Sequence, residues 1–264
     1  SGYYILSVGF AGILLNQVMK LAFRIPRPWV LDPDFQVVAG ARPGATGYSF
    51  PSGHTQNCVG LMACITLETK KTWIRALAIA LMLLVPFSRM YLGCHTLLDI
   101  SVAFALALLL AFMLRPVVTR GMERPKTMGR LLFMFTLIAL LAFCYLRFYP
   151  FPVSVDAENL QEGRKAGAMM VGGVLGLALS WYLDRRYVHF SVQAVWWAQL
   201  LKVLLGFALL MLIRLGLKAP LAALLAQDAA AGVRYFVMVL FAGAIWPASF
   251  PLFAALGKNR QNHI

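Results

Sequence analysis

Apolar residues run through this chain in long blocks, broken by short polar segments that are often basic. Eight blocks lie near residues 3–22, 54–69, 75–92, 96–114, 131–148, 166–183, 194–214 and 233–256. Most approach the roughly 20 residues that an α-helix needs to cross a bilayer. The second and third are short, as expected where polar site residues occupy helix ends. No region shows the sustained period-two alternation that a membrane β-barrel requires. The pattern predicts an all-α fold, a polytopic transmembrane helical bundle of about eight spans. Pro247 and Pro251 are expected to kink the last span. Gly172, Gly173 and Gly176 place small residues one turn apart, which predicts tight helix packing, with a homodimer face as one use.

Composition agrees with the pattern. Hydrophobic residues make up 61% of the 264, with mean hydropathy +0.74, well above the roughly 45–50% of soluble domains. The net charge of +14 raises the question of nucleic acid. The basic residues, however, sit in turns between apolar blocks rather than in one stripe, so membrane lipids are the expected partners and nucleic acid is not. Lys70, Lys71 and Arg75 fill one turn, and Arg115, Arg120, Arg124, Lys126 and Arg130 another. Arg185 and Arg186 follow the sixth block, and Lys258 with Arg260 closes the chain. If the spans alternate, all four clusters fall on one side, which the positive-inside rule makes cytoplasmic. The first residue is Ser1, and an apolar run begins almost at once without a basic region or cleavage site. That run is therefore not a signal peptide, and the chain is expected to be truncated at the N-terminus. Cys58, Cys64, Cys94 and Cys144 form no CxxC pair and are expected as free thiols.

Three short strings carry the chemistry. Lys20 is followed by Arg27-Pro28; Pro51-Ser52-Gly53-His54 opens the second block; Arg89 precedes His95 and Asp99. With alternating spans, all three meet on the non-cytoplasmic rim. A phosphate ester repels nucleophiles through its own negative charge, so catalysis begins by surrounding it with cations. Lys20 supplies a point charge, and Arg27 and Arg89 supply planar forks matching phosphate oxygens. Taken alone, Lys20 and Arg27 read as snorkelling interface cations. The second string gives a helix start whose free N–H groups, with the Ser52 hydroxyl and the small Gly53, form a phosphate cradle. His54 in that turn can protonate a leaving oxygen. His95 and Asp99 are four residues apart and share one helix face. A carboxylate there holds one imidazole nitrogen protonated and frees the other as nucleophile. No grouping of His, Cys, Asp and Glu has metal-ligand spacing, so no metal and no cofactor is expected.

These strings resemble, in order, the three signature motifs of the type 2 phosphatidic acid phosphatase superfamily. The resemblance covers roughly residues 1–115 and departs from no motif position. It implies a metal-independent phosphatase working through a phosphohistidine. In that scheme His95 attacks, Asp99 supports it, and His54 protonates the leaving group. Lys20, Arg27 and Arg89 bind phosphate, assisted by Ser52 and Gly53. The expected substrate is a lipid phosphate or diphosphate met from the non-cytoplasmic face. The linker from Asp32 to Tyr48 resembles bacterial members, which implies a bacterial cell membrane.

On this reading residues 1–115 form the phosphatase core and 116–264 add further transmembrane helices. The extra spans resemble those of the sphingosine-1-phosphate and glucose-6-phosphate phosphatases of the same superfamily. Two other functions remain open at this point. One is a lipid phosphotransferase with the same site and an acceptor other than water. The other is a transporter or scaffold worked by the second half. An ionisable residue inside the last four spans favours the latter, and Lys202 is the clear instance. No repeat relates the two halves.

Overall fold

A computed structural model describes residues 2–152 and 155–256. They form an all-α polytopic bundle: α1 (Gly2–Phe23), α2 (Pro28–Leu31), α3 (Gly53–Glu68), α4 (Thr72–Tyr91), α5 (Leu97–Glu123), α6 (Pro125–Phe148), α7 (Ala157–Leu183), α8 (Trp196–Gly216), α9 (Lys218–Leu224), α10 (Gln227–Leu240) and α11 (Phe250–Ala255). Single π-helical turns stand at Asp184–Val188 and Phe241–Ile245. Seven helical stretches among the described residues are long and apolar enough to cross a membrane. The eighth expected span is α3, whose 16 residues are too short. Its opening turns hold His54, Thr55 and Gln56 in place of hydrocarbon-facing side chains.

Contacts divide the chain into two compact units, the first ending at Gly167 and the second beginning at Ala168. In the first, α3 packs against α1, α4 and α5, and α5 also packs against α1 and α6. Small residues permit this closeness. Ala103, Ala107 and Ala111 follow one another up a fully buried stripe of α5. A Cβ on Gly60 of α3 would stand 3.3 Å from Val8 Cγ1 of α1. The Tyr4 hydroxyl donates to the Ala111 carbonyl at 2.7 Å, tying α1 to α5.

Short connections make successive helices antiparallel. The end of α1, the start of α3, the end of α4 and the start of α5 therefore share one end of this unit. The opposite end holds Lys70, Lys71 and an ion pair between Arg115 and Glu68 at 3.2 Å. The closing cluster expected at Lys258 and Arg260 lies outside the described residues.

In the second unit α8 packs with α9, α10 and α11. The glycine face meets α10 within the chain: a Cβ on Gly172 would run into the Gly232 carbonyl, and one on Gly176 would lie 2.8 Å from the Phe236 carbonyl oxygen. The last span stays helical from Gln227 to Ala255, but where a kink was expected its hydrogen-bond pattern changes. Beyond Leu240 the chain passes through the π turn, a 3-10 turn opened by Pro247, and then α11. Trp246 stacks on Phe241 at a centroid distance of 6.1 Å and meets Phe250 and Phe253 edge-on at 6.4 and 5.6 Å.

Candidate active site

Each site residue stands where a helix begins or ends. Lys20 lies in the last turn of α1, which closes with Arg24 N–H donating to the Lys20 carbonyl. Arg24 has a left-handed backbone, φ +51°, which ends the helix as a glycine commonly would. Arg27 then caps α2 in an extended conformation, enforced by the proline that follows it. Ser52 caps α3: its Oγ accepts from Thr55 N–H at 3.4 Å, and its own N–H donates to the Asp99 carbonyl at 3.1 Å. That last bond ties the second string to the third.

The third string depends on a glycine. After α4 the chain turns at Gly93, φ +75°, where a Cβ would meet Phe35 Cε1 at 3.0 Å and the Gln36 carbonyl at 3.1 Å. No other residue fits that turn without displacing the Phe35–Val37 segment. Thr96 then opens α5 in a capping box: Thr96 Oγ1 accepts from Asp99 N–H at 3.3 Å, and Asp99 Oδ2 accepts from Thr96 N–H at 2.8 Å.

The centre is buried and closely hydrogen-bonded. His95 is 5% exposed and Asp99 1%. Their closest approach, Nδ1 to Oδ2, is 3.5 Å. Ser49 stands between them, donating from Oγ to Asp99 Oδ2 at 2.6 Å while lying 3.3 Å from His95 Nδ1. A proton on Nδ1 is thus steered toward Ser49 and Asp99, leaving Nε2 with its lone pair. Arg27 NH1 sits 2.9 Å from that Nε2 and donates to the Cys94 carbonyl at 2.9 Å. The rest of the guanidinium donates to the Gly47 and Thr46 carbonyls, at 3.0 and 2.8 Å. Lys20 Nζ donates to the Tyr48 carbonyl. Burial, reinforced by the charges of Arg27 and Lys20 and opposed by Asp99, pushes the His95 imidazole down to about 4. The ring is therefore neutral at physiological pH.

The structure brings Lys20, Arg27, Ser52, His95 and Asp99 into one network. His54 lies exposed in the first turn of α3, within electrostatic reach of Arg89, Arg27 and Lys20. Gly53 begins that helix, with Asn16 Oδ1 3.5 Å from where its Cβ would be. Arg89 ends α4, and its Nε and NH2 are covered by protein yet bonded to nothing among the described residues. Buried cations thus outnumber the single buried carboxylate, an excess that an anion would neutralise.

Sequence reasoning missed three groups. Ser49 lies two residues ahead of the Pro51–His54 string and carries no signal of its own. Thr96 could have been found from its capping spacing to Asp99. Asn16 donates to the Pro51 carbonyl at 3.1 Å and to Gln56 at 3.0 Å, bracing the α3 entry from α1. Beside Arg27 opens a cavity of about 790 Å³, walled by Arg24, Trp29, Arg42, Thr46 and Glu158 among others.

A buried histidine–carboxylate pair ringed by cations, at one end of a membrane helix bundle, defines a class of polytopic membrane protein built around an anion site. The chain belongs to the PAP2 superfamily: residues 1–123 match that family, and residues 168–259 match the "PAP2 superfamily phosphatase, transmembrane extension". It is 28% identical over 105 residues to undecaprenyl-diphosphatase BcrC of Bacillus subtilis (strain 168), covering 40% of this chain and 51% of that protein. Phosphatidylglycerophosphatase B of the same organism is 31% identical over 113 residues, covering 39% and 50%. Undecaprenyl-diphosphatase of Sulfolobus acidocaldarius is 32% identical over 102 residues, covering 38% and 47%. The chain spans about half the length of these relatives. No solved structure matches.

Proposed function

We propose that this protein is a membrane phosphatase that hydrolyses a lipid phosphate or diphosphate through a phosphohistidine on His95. The observation that carries the reading is the arrangement around His95 Nε2. Nδ1 faces Ser49 and Asp99, while Arg27 NH1 lies 2.9 Å from Nε2 and Arg89 has guanidinium nitrogens to spare. A phosphoryl group entering there meets Arg27, Arg89 and Lys20 while Nε2 attacks phosphorus. The P–O bond to the leaving group breaks, and His54 protonates the departing oxygen. Water then attacks the phosphohistidine, restoring the imidazole and releasing inorganic phosphate. Ser52 and Gly53 shape the helix start that receives the phosphoryl oxygens.

Residues 1–115 are read as the phosphatase core and 116–264 as additional transmembrane helices. Lys70, Lys71 and Arg115 at the opposite end of the first unit support a site on the non-cytoplasmic side of a bacterial cell membrane. Two relatives are named for undecaprenyl diphosphate and one for phosphatidylglycerophosphate, which favours a long-chain lipid. The cavity beside Arg27 has the volume to hold a polar headgroup.

The test is phosphate release from a polyprenyl diphosphate, phosphatidylglycerophosphate, long-chain phosphatidate and glucose-6-phosphate in one detergent. Long-chain lipids should be turned over far more efficiently than the sugar phosphate, and phosphorus-labelled substrate should leave an acid-labile, alkali-stable label that vanishes in His95→Ala. Equal turnover across the set would defeat the lipid assignment. Absence of the label under rapid quench, with turnover intact, would defeat the phosphohistidine.

A further inference from the structure

The second unit contains a charge that the reaction does not use. Lys202 lies in the first third of α8, a helix otherwise apolar through this stretch, and is only 4% exposed. Its ammonium donates to the Val192 carbonyl at 2.9 Å and stands 4.4 Å from the centroid of the Phe250 ring. Among the described residues no carboxylate pairs with it. An ammonium has three donors and a full charge. One carbonyl dipole, which Gln199 also uses, and one aromatic face compensate it only partly.

That ammonium stands at the wall of a cavity of about 420 Å³. From Lys202 the lining climbs α8 through Val203, Phe207 and Leu210, over about 12 Å of helix. The facing wall is Phe241 and Trp246, from the π turn and the residue that follows it. Gly206, one turn above Lys202, lets the walls close: a Cβ there would run into the indole nitrogen of Trp246. π turns of this kind often mark ligand sites. The cavity is thus cationic at one point and apolar along its length.

We propose that this cavity is a binding site for an anionic phospholipid, with the phosphate paired to Lys202 and one acyl chain lying along Val203, Phe207 and Leu210. The unpaired charge selects an anion, and the apolar wall selects a chain. A phosphate headgroup offers oxygens to both donors that the ammonium has left once Val192 has taken one. The site is separate from the His95 chemistry and does not depend on it.

The test uses the whole chain, purified and stripped of lipid in detergent, with dioleoyl phosphatidylglycerol, dioleoyl phosphatidylcholine or oleate added. Bound lipid is counted by native mass spectrometry, and stability is followed by melting temperature. One phosphatidylglycerol should bind and raise the melting temperature, with phosphatidylcholine and oleate markedly weaker. Lys202→Met should bind phosphatidylglycerol at least about tenfold more weakly, while its lipid-free melting temperature does not fall. Lys202→Arg should keep most of the binding. Should Lys202→Met fail to elute as a single species, Val203→Trp provides the second case: it fills the groove, leaves the lysine, and should abolish the lipid-induced shift. Undiminished binding by Lys202→Met, or by Val203→Trp where that variant is used, would overturn the proposal. So would oleate binding as well as phosphatidylglycerol.

Discussion

Each unit of this protein buries a lysine, and the two are housed very differently. Lys20 is 8% exposed at the end of α1 and belongs to a network. Its ammonium donates to the Tyr48 carbonyl, and Arg27, Ser49, His95 and Asp99 lie interlocked beside it. Lys202, 4% exposed within α8, has a carbonyl and a phenyl ring and nothing ionised among the described residues. The difference lies in where each sits on its helix. A helix end offers free N–H and C=O groups, turns and caps, so polar side chains gathered there can satisfy one another. Past its first turn, where Lys202 stands in α8, a helix has spent its backbone groups, and a charge placed there must find its partner elsewhere. The first arrangement is the one proposed for chemistry and the second the one proposed for capture.

That contrast can be broken by substitution. The largest effect is expected for His95→Ala, which removes the proposed nucleophile and should lower kcat at least about a thousandfold, roughly 4 kcal/mol, without lowering the melting temperature. A folded His95→Ala with more than a tenth of normal activity would remove the first unit's claim to the chemistry.

Asp99→Asn comes next, at about a hundredfold, because it loosens the hold on the Nδ1 proton while keeping shape. Ser49→Ala should cost about tenfold, since Asp99 remains 3.5 Å from Nδ1 and can take over part of the contact. If Ser49→Ala is silent, the direct pair suffices and the serine only fills space.

The pH profile sharpens the same point. His95 is pushed down to about 4, so the imidazole stays neutral as pH falls through the ordinary histidine value of 6.5. The acid limb of kcat/KM should therefore lie near 4. The sign for stability follows by linkage: between about 6.5 and 4 the unfolded chain takes up a proton that the folded chain refuses, so stability falls as pH drops through that window. His95→Asn should flatten this fall. An acid limb near 6.5 would mean that His95 is wetter than the structure shows.

The smallest effect is expected in the second unit. Lys202→Met should change kcat/KM by less than about twofold under saturating lipid, because its cavity takes no part in the His95 network. A large loss there would join the two functions that the comparison keeps apart.

Much of the first unit was legible beforehand, for local reasons. Blocks of apolar residues announced α1 and α4 to α8, since hydropathy over one span depends on no partner. The three strings were legible because helix ends advertise themselves through proline, glycine and capping residues. Two spans were read too simply. The block at 54–69 became the 16-residue α3, whose first turns are polar because they face the site. The block at 233–256 became three pieces around a π turn and two prolines, since each proline removes a backbone donor that a continuous helix needs.

By itself the sequence determined that the chain is helical, that it belongs in a membrane, and which helix ends carry histidines, a carboxylate and cations. These follow from composition, periodicity and spacing, all of them properties of neighbours along the chain. Only the tertiary structure decided that Ser49 stands between His95 and Asp99, fifty residues from the carboxylate it serves. It also decided that Arg27 turns back onto the imidazole and that Lys202 opens onto a cavity. Those placements depend on how closely α1, α3 and α5 approach through their small residues, and on a left-handed turn at Gly93 and a change of helical pattern at Pro247 that re-aim the chain. Contact between distant residues is settled by packing, which no local pattern encodes.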